Sequence, residues 1–252
     1  MIVFDIGNTD TVVGIYREGQ LTKTLRIRSL TNENAVYFEY RLLNFFLENN
    51  LDASGFSKAV ISSVVPTLTP VFTGFCDRFL GVSPVIVSPV KSGLMKISIE
   101  NGDELGADLF ANALSAYTRF KDNCIIVDFG TALTFTMVSK DSEILGVCIA
   151  PGLRTAVKSL FSNTSLLPDV KLEMPETVIG RNSLHSIRSG ILFGYDGLVR
   201  GLLKRIKAEM GGEAVVVATG GLSAVISTLH DEFDEVDKNL TLDGLYIYGN
   251  HY

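Results

Sequence analysis

Two short segments of the sequence combine an aspartate, a glycine and a hydroxyl-bearing residue in the same order. The first reads Asp5-Ile6-Gly7-Asn8-Thr9 and the second reads Asp128-Phe129-Gly130-Thr131. Each segment follows an apolar run typical of a buried strand and precedes a second β-rich run. Backbone N–H groups of such a turn, here those of Gly7, Asn8, Thr9, Gly130 and Thr131, can donate to phosphate oxygens, and threonine hydroxyls add donors. A carboxylate beside a phosphate is repulsive unless a cation such as Mg²⁺ lies between them, so the pattern predicts phosphate binding with a metal ion.

A single segment of this kind is equally well explained as an ordinary β-turn with a side-chain hydrogen bond. The second copy changes the interpretation, because it lies 123 positions after the first in a chain of 252 residues. Duplication of one domain-sized unit would produce that spacing. Two such turns, one per half, suit a nucleoside triphosphate held from both sides.

The elements that position these segments alternate as in an α/β fold with a mostly parallel sheet. Strands are expected over 59–62, 84–87 and 214–218. Helices are expected over 31–49, 66–79, 108–120, 152–161, 183–210 and 222–229, the first capped by Thr31. After the strand at 214–218, Gly220 and Gly221 let the backbone approach a ligand or merely permit a turn. We expect two α/β domains, 1–114 and 115–252, packed about a cleft.

Composition and motifs exclude several classes of protein. The net charge of −6 provides no global positive field for nucleic acid. The sequence contains neither the P-loop motif nor a G-x-G-x-x-G motif, which argues against P-loop kinases and Rossmann dehydrogenases. Pro66 and Pro70 interrupt the most apolar stretch, and Asp5 interrupts the amino-terminal one, so we expect no membrane span and a cytoplasmic protein.

The cysteines and histidines show no metal-binding spacing. The three cysteines are scattered without a C-x-x-C pair, and the three histidines are far apart; they are Cys76, Cys124, Cys148, His185, His230 and His251. Buried free thiols are therefore expected rather than a zinc site.

The order and spacing of seven motifs identify a family resemblance that runs almost end to end. The motifs are Asp5-Ile6-Gly7-Asn8-Thr9, Ser62-Ser63-Val64-Val65-Pro66, Gly106-Ala107-Asp108, Asp128-Phe129-Gly130-Thr131-Ala132, Ile149-Ala150-Pro151-Gly152, Val178-Ile179-Gly180-Arg181-Asn182 and Thr219-Gly220-Gly221. In these the chain resembles type III pantothenate kinases, of the acetate and sugar kinase, Hsc70 and actin superfamily. The resemblance implies two duplicated actin-like, ribonuclease H-like domains around a nucleotide cleft.

The resemblance also implies an activity, cofactors and an assembly state. Members of the family phosphorylate the primary hydroxyl of pantothenate, the first step of coenzyme A biosynthesis, with ATP, Mg²⁺ and a monovalent cation, K⁺ or NH₄⁺. They are homodimers whose active site lies near the subunit interface. These properties are expectations for this chain.

Carried over residue by residue, the resemblance assigns roles to the motifs. ATP and its phosphates would be bound by Asp5, Ile6, Gly7, Asn8, Thr9, Asp10, Thr11, Val12, Gly130, Thr131, Gly220 and Gly221. Asp128 would ligate the monovalent cation, and Asp5 would hold Mg²⁺, directly or through water. Asp108 would be the base that accepts the proton of the substrate hydroxyl, although its place at a predicted helix start also suits a capping residue.

The expected acceptor pocket departs from the family pattern. It would comprise Gly106, Ala107, Asp108, Leu109, Ile99 and Ser183, the last supplied by the partner subunit. The family has an arginine where this chain has Leu109, a tyrosine at Ile99 and a threonine at Ser183. An unpaired, desolvated substrate carboxylate costs about 3–5 kcal/mol, which corresponds to roughly two to three decades in affinity.

Three interpretations follow from these departures. Another cation could bind the substrate carboxylate, with Arg154, Lys158, Arg181 and Arg188 as candidates, although the sequence favours a solvated surface charge for each. The more apolar pocket could suit a different small alcohol. Alternatively, the chain could be a nucleotide-binding regulatory or accessory protein that has lost phosphoryl transfer.

Overall fold

The first strand, β1 (Ile2–Ile6), organises the amino-terminal part of the computed structural model, which describes residues 1–163 and 167–252. Its alternate residues Ile2, Phe4 and Ile6 are fully buried in one apolar core. Side chains alternate between the two faces of a strand, so Val3 and Asp5 point to the opposite face. Helices cover both faces of the sheet around β1.

Two units make up the described chain. The first comprises Met1–Ser115 and Asn239–Tyr252, and the second comprises Ala116–Lys238. The expected division at 114 and 115 differs from this one at the carboxyl terminus, because residues 239–252 form a helix that packs within the first unit.

The first unit contains a five-stranded sheet in the order β3-β2-β1-β4-β5. Strands β1, β2 and β3 pair antiparallel, and β4 and β5 continue the sheet in parallel with β1. Its elements are β1 (Ile2–Ile6), β2 (Asp10–Arg17), β3 (Gln20–Arg28), α1 (Ala35–Glu48), β4 (Ala59–Ser63), α2 (Thr69–Phe75), β5 (Val85–Ile86), α3 (Pro89–Ser92), β6 (Lys96–Ile97), the start of α4 (Ala107–Phe120) and α7 (Leu240–His251).

The second unit repeats this arrangement, with its strands in the order β9-β8-β7-β10-β11. Strands β7, β8 and β9 are again antiparallel, and β10 and β11 are again parallel to the central strand. Its elements after α4 are β7 (Cys124–Phe129), β8 (Ala132–Ser139), β9 (Glu143–Pro151), α5 (Leu153–Ser162), α6 (Ser183–Glu209), β10 (Val215–Thr219) and β11 (Glu235–Val236). The repeated strand order confirms the duplication that the two aspartate-glycine segments indicated.

Three of the expected helices differ from the observed ones. Helix α1 begins at Ala35 and is capped by Asn34, whose side chain accepts from the N–H of Tyr37 at 3.2 Å, so Thr31 is not the cap. Helix α2 is shorter than expected because the chain between Pro66 and Leu68 turns first, and a π-helical turn, Cys76–Leu80, follows it. The helix expected over 222–229 is wrong: the chain turns there and then forms a short 3-10 helix, Ser227–Glu232.

Sequence periodicity did not reveal helix α7, because it is buried on several sides. Its residues Leu240, Leu242, Leu245 and Tyr248 are all buried, which leaves no single apolar stripe. The helix contacts β1, β2 and β4, and the Lys58 Nζ donates to the carbonyl of Gly249 at 2.7 Å. It therefore covers the sheet face to which Asp5 points.

The cysteines are free thiols in the structure. Burial raises the pKa of Cys76 to about 12 and that of Cys124 to about 11, and it raises the pKa of the partly buried Cys148. Within residues 1–163 and 167–252, no group of three His, Cys, Asp or Glu side chains is arranged to hold a metal ion. In the same residues, no helix is long and apolar enough to cross a membrane.

Gly244 allows helices α4 and α7 to cross closely. A Cβ built on Gly244 would overlap the carbonyl oxygen of Ala111 on α4, and neither backbone can move away from this contact without disturbing the helix. We expect Gly244→Ala to destabilise the protein by about 1–3 kcal/mol through overpacking, measured as a lower Tm in thermal denaturation.

The matched control for this substitution is Gly201→Ala on helix α6, where a Cβ would meet no atom within 4 Å. Alanine is the better helix former, so this variant should gain up to about 1 kcal/mol. An unchanged Tm for Gly244→Ala would contradict the close crossing of α4 and α7.

Candidate functional site

The first aspartate-glycine turn is the tip of the hairpin between β1 and β2. The N–H of Gly7 donates to the carbonyl of Asp10 at 3.1 Å and so closes the turn. We expected this N–H to hold phosphate; it is used within the protein instead. Asn8 and Thr9 form the exposed tip, and their backbone is the part of the turn that a phosphate can approach.

Residues around this tip have distinct structural roles. Thr11 is fully buried, and its hydroxyl is 2.9 Å from that of Ser29, so this hydroxyl is paired within the protein. The N–H of Ser29 donates to the carbonyl of Thr9 at 2.9 Å, which ties the tip to the end of β3. The side chain of Ile6 belongs to the apolar core, and Asp10 forms an exposed ion pair with Arg26 at 3.2 Å.

Asp5 lies at the centre of the sheet, between two neighbouring strands. Val12 of β2 and Ser62 of β4 are its direct register partners, and all three side chains project from the same face. Ser62 is fully buried, whereas the next residue, Ser63, accepts from the N–H of Val65 at 3.2 Å and from the Thr69 hydroxyl at 2.8 Å.

The second turn, between β7 and β8, is anchored to the start of α5. The N–H of Gly130 donates to the carbonyl of Ala132 at 3.1 Å, so this N–H too closes a turn rather than remaining for phosphate. The carbonyl of Thr131 accepts from the N–H of Gly152 at 3.0 Å and from the Thr155 hydroxyl at 2.7 Å. A Cβ on Gly152 would overlap the carbonyl of Gly130. These contacts leave the Thr131 side chain exposed at the turn.

Asp128 is flanked by threonines on both neighbouring strands. Thr134 of β8 and Thr219 of β10 are its register partners, and both are almost completely buried. Sequence reasoning identified neither as part of the site, because the register of non-adjacent strands was needed to place them beside the carboxylate.

Gly220 follows β10 and packs directly against Asp128. Its φ of +91° is one that L side chains rarely adopt, and a Cβ would lie 2.5 Å from the Asp128 Oδ1 and 2.7 Å from the Phe129 carbonyl carbon. The Ser223 hydroxyl donates to the Gly220 carbonyl at 2.9 Å. A Cβ on Gly221, by contrast, would meet no atom within 4 Å.

Asp108 occupies the first turn of α4 and is half-buried. Its Oδ1 accepts from the N–H of Leu109, the next residue of the helix, at 2.8 Å, and a Cβ on Gly106 would overlap this oxygen. Desolvation by burial raises the pKa of Asp108 above its ordinary value, outweighing the backbone hydrogen bonds that lower it. Asp108 is thus both a helix-start residue and a carboxylate of enhanced basicity.

The residues expected around the acceptor fall in different places. Ile99, Ala107 and Leu109 belong to the first unit, with Ala107 buried and the other two half-buried. Ser183 is the exposed first residue of α6 in the second unit, next to the cap Asn182, which accepts from the N–H of His185 at 2.9 Å.

One of the four candidate cations is already engaged. Arg188 pairs with Glu173 at 3.3 Å and donates to the carbonyl of Lys171 at 2.9 Å. The side chains of Arg154, Lys158 and Arg181 are exposed.

Each unit thus contains a carboxylate at the end of its central strand, an adjoining glycine turn and parallel strands beyond. This arrangement defines an actin-like fold, and solved structures agree. The chain matches a protein described as a Baf family transcriptional activator from Campylobacter jejuni with a TM-score of 0.62 at 18% identity, covering 98% of this chain and 96% of that one. It matches a protein described as an N-acetylglucosamine kinase from Porphyromonas gingivalis with a TM-score of 0.51 at 13% identity, covering 100% and 98%. At these identities the likeness concerns the fold alone.

Sequence comparisons identify the family. The profile of type III pantothenate kinases matches residues 1–205. A type III pantothenate kinase from Desulfosudis oleivorans is 41% identical over 99% of this chain and 98% of its own length, and one from Myxococcus xanthus is 39% identical over 100% and 99%. The chain belongs to the type III pantothenate kinase family.

The close packing of Gly220 on Asp128 predicts different effects of substitution at Gly220 and Gly221. Gly220→Ala should lower the Tm, because it combines a strained φ with a Cβ that displaces the Asp128 carboxylate or the Phe129 backbone; a loss of about 1–3 kcal/mol is expected. Thermal denaturation of both single variants tests this. Gly221→Ala should lower the Tm less, and equal Tm values for the two variants would contradict the assigned contact.

Proposed function

We propose that this protein transfers the γ-phosphoryl group of ATP to the primary hydroxyl of pantothenate, giving 4'-phosphopantothenate for coenzyme A biosynthesis. Full-length similarity to type III pantothenate kinases supports the activity. The structural observation that supports this activity is Asp108, a half-buried carboxylate of raised pKa at the start of α4. This is the residue type and environment that a general base requires.

Asp108 would act on the acceptor hydroxyl. Its carboxylate takes the hydroxyl proton as the oxygen attacks the γ-phosphorus; the bond between that phosphorus and the β,γ-bridging oxygen breaks, and ADP leaves with the bridging oxygen. Burial enhances the basicity of Asp108, and Gly106 keeps the space beside its Oδ1 free of a side chain.

The two turns would bind the nucleotide. We assign the phosphates to the backbone of Asn8 and Thr9 in the first unit and to Thr131 in the second, with Gly220 and Gly221 admitting close approach of the ligand. The roles of Ile6, Thr11 and Gly7 are then to build the turn: core packing, the bond to Ser29 and the closing N–H.

Mg²⁺ would arrive with ATP and be held by Asp5, directly or through water. The donor set fits, because Mg²⁺ in such sites uses one or two carboxylates together with substrate phosphates rather than a cage of protein ligands. Asp128, flanked by two threonine hydroxyl groups, offers oxygen donors suited to a monovalent cation, K⁺ or NH₄⁺. The cations would neutralise phosphate charge as it develops in the transition state.

The acceptor pocket departs from the family pattern at positions 99 and 109. Leu109 and Ile99 cannot bind the substrate carboxylate, and Arg188 is engaged by Glu173. The remaining candidates are Arg154, Lys158 and Arg181. The alternatives, a different small alcohol or a nucleotide-binding regulatory protein without transfer, rest on the same apolar side chains at positions 99 and 109.

A homodimer would place Ser183 beside the active site of the partner, as the resemblance implies. Exposed apolar side chains support such a surface: Leu160 lines the same cavity as Ser183, and Val178, Ile179 and Leu184 lie close to Ser183 in the sequence. This cavity has a volume of about 380 Å³ and is lined in part by Ser183, Ile187 and Ile191. We also propose a cytoplasmic location, where the ATP supply lies.

The direct test of the activity is a coupled ADP-release assay with ATP, Mg²⁺ and K⁺, with and without millimolar pantothenate. Mass spectrometry for phosphopantothenate identifies the product. Release of ADP that depends on pantothenate supports the proposal. ATP binding without product from pantothenate would favour another acceptor or the regulatory role.

Asp108→Asn removes the proposed base and keeps the shape of the side chain. We expect turnover to fall by about 100- to 10,000-fold with ATP binding retained, measured by steady-state kinetics and calorimetry. In the wild type, turnover should fall as the pH drops through the raised pKa of Asp108, because the carboxylate becomes protonated. The exposed Asp103→Asn is the control, and unchanged turnover in Asp108→Asn would refute the assignment.

The raised pKa also has a consequence for stability. The folded state favours protonated Asp108, so stability linked to this group is present at acidic pH and is lost as the pH rises through the folded-state pKa. Asp108→Asn should therefore have a higher Tm than the wild type at pH 8, and the difference should shrink toward acidic pH.

Leu109→Arg would restore the cation that the family has at this position. We expect it to lower the KM for pantothenate, by about 100- to 1,000-fold if the substrate carboxylate is unpaired in the wild type. Steady-state kinetics with pantothenate as the varied substrate measures the change. An unchanged or higher KM would show that the carboxylate is bound by another residue.

A further inference from the structure

Three buried hydroxyl groups have no hydrogen-bond partner within the described parts of the chain, those of Ser62, Ser115 and Thr134. Leaving a buried hydroxyl unpaired is costly, so each instance calls for a physical explanation. Two of the three are direct register partners of the two carboxylates at the ends of the central strands. The coincidence links these hydroxyl groups to the site.

Ser62 illustrates the relationship most clearly. It is fully buried on β4, beside Asp5 on the parallel strand β1, and their side chains share one face of the sheet. Neighbouring parallel strands lie about 4.8 Å apart, a spacing at which directly opposed side chains on one face can interact. The adjacent Ser63 is fully used by the turn that follows β4, through Val65 and Thr69.

Thr134 stands in the same relation to Asp128, but on a different type of strand. It belongs to β8, which is antiparallel to β7, whereas Ser62 belongs to a strand parallel to β1. Simple duplication does not explain the pair. In the first unit the strand equivalent to β8 is β2, and its residue beside Asp5 is Val12, which has no hydroxyl group. Two separate neighbours supply the same chemical feature, a buried hydroxyl donor beside a carboxylate.

We propose that Ser62 and Thr134 are positioning residues, each of which donates a hydrogen bond to its neighbouring carboxylate, Asp5 or Asp128, when that carboxylate binds a cation. The inference rests on the proposed function, which supplies Mg²⁺ with ATP at Asp5 and a monovalent cation at Asp128. A carboxylate has several acceptor sites, so one oxygen can face the cation while the other accepts from the hydroxyl. The hydroxyl then holds the carboxylate in one orientation without contacting the substrate itself.

The test for Ser62 separates this role from a structural one. Ser62→Ala removes an unpaired hydroxyl, so the Tm of the ligand-free protein should stay the same or rise. Isothermal titration calorimetry should show Mg²⁺·ATP binding about 2- to 13-fold weaker, the range for one hydrogen bond. ATP binding in EDTA should not change.

Two controls sharpen this comparison. Ser115→Ala also removes a buried unpaired hydroxyl, on α4, and should leave Mg²⁺·ATP binding unchanged. Ser63→Ala removes the turn contacts and should lower the Tm of the ligand-free protein. A lower Tm for Ser62→Ala with unchanged Mg²⁺·ATP affinity, or an equal loss of affinity with and without Mg²⁺, would overturn the proposal.

A double-mutant cycle tests whether Ser62 acts through Asp5. In an Asp5→Asn background, Ser62→Ala should cause no further loss of Mg²⁺·ATP affinity, because the carboxylate that it positions is absent. Additive losses would overturn the proposal for this pair. Ser62→Cys, of similar size but a weak donor, should behave like Ser62→Ala.

The corresponding test for Thr134 uses the monovalent cation. K⁺ should raise the Tm of the nucleotide-bound wild type, and Thr134→Val should reduce this K⁺-dependent rise. Thr136→Val, a buried residue on the same strand and face, should retain it. Equal K⁺-dependent rises in the wild type and Thr134→Val would overturn this half of the proposal.

These readouts are independent of pantothenate phosphorylation. If the wild type binds Mg²⁺·ATP but forms no phosphopantothenate, the proposed function fails while the role of Ser62 is still decided by binding and stability. If the wild type does not bind Mg²⁺·ATP at all, both proposals are overturned.

Discussion

The alternation of side chains along the two central strands is the constraint on which the site depends. In β1, Ile2, Phe4 and Ile6 enter one apolar core, and this packing fixes the register of the strand. A shift of one residue would exchange Phe4 with Asp5 and would bury the carboxylate in that core. The same holds for β7, where Ile125, Val127 and Phe129 enter the core of the second unit and Asp128 projects from the other face. Core packing therefore positions both carboxylates.

Some backbone and side-chain donors of the two turns form hydrogen bonds within the protein, and others remain accessible to a ligand. The N–H groups of Gly7 and Gly130 close their turns, and the Thr11 hydroxyl is paired with Ser29. The exposed groups at the tips, around Asn8 and Thr131, are what a ligand can approach. Glycine serves a separate purpose at position 220, where any side chain would collide with Asp128. Close backbone approach thus holds the carboxylate of the second unit from one side.

In the role proposed for Asp108, basicity and stability oppose one another. Burial desolvates the Asp108 carboxylate and raises its pKa. The raised pKa enhances the basicity of the group and makes its ionised form unfavourable in the folded state. A protein that needed only a helix cap could expose this group to water. The acceptor side of the site differs from the family pattern at Leu109 and Ile99, while Asp108 and both turns are retained. In the proposed function, the residues of phosphoryl transfer and those of acceptor recognition are therefore different parts of the sequence.

Local sequence patterns predicted the fold class, the duplication and the two aspartate-glycine turns, because these depend on short apolar runs and on residues close together in the chain. Most strands and the long helix α6 follow from the same local patterns. Helix α7 was missed because its burial on several sides removes the periodic signal, and only the tertiary structure places it in the first unit. Strand register likewise decided that Ser62 lies beside Asp5 and that Thr134 and Thr219 flank Asp128. Pairing between strands distant in sequence depends on the packed core, which no local pattern contains.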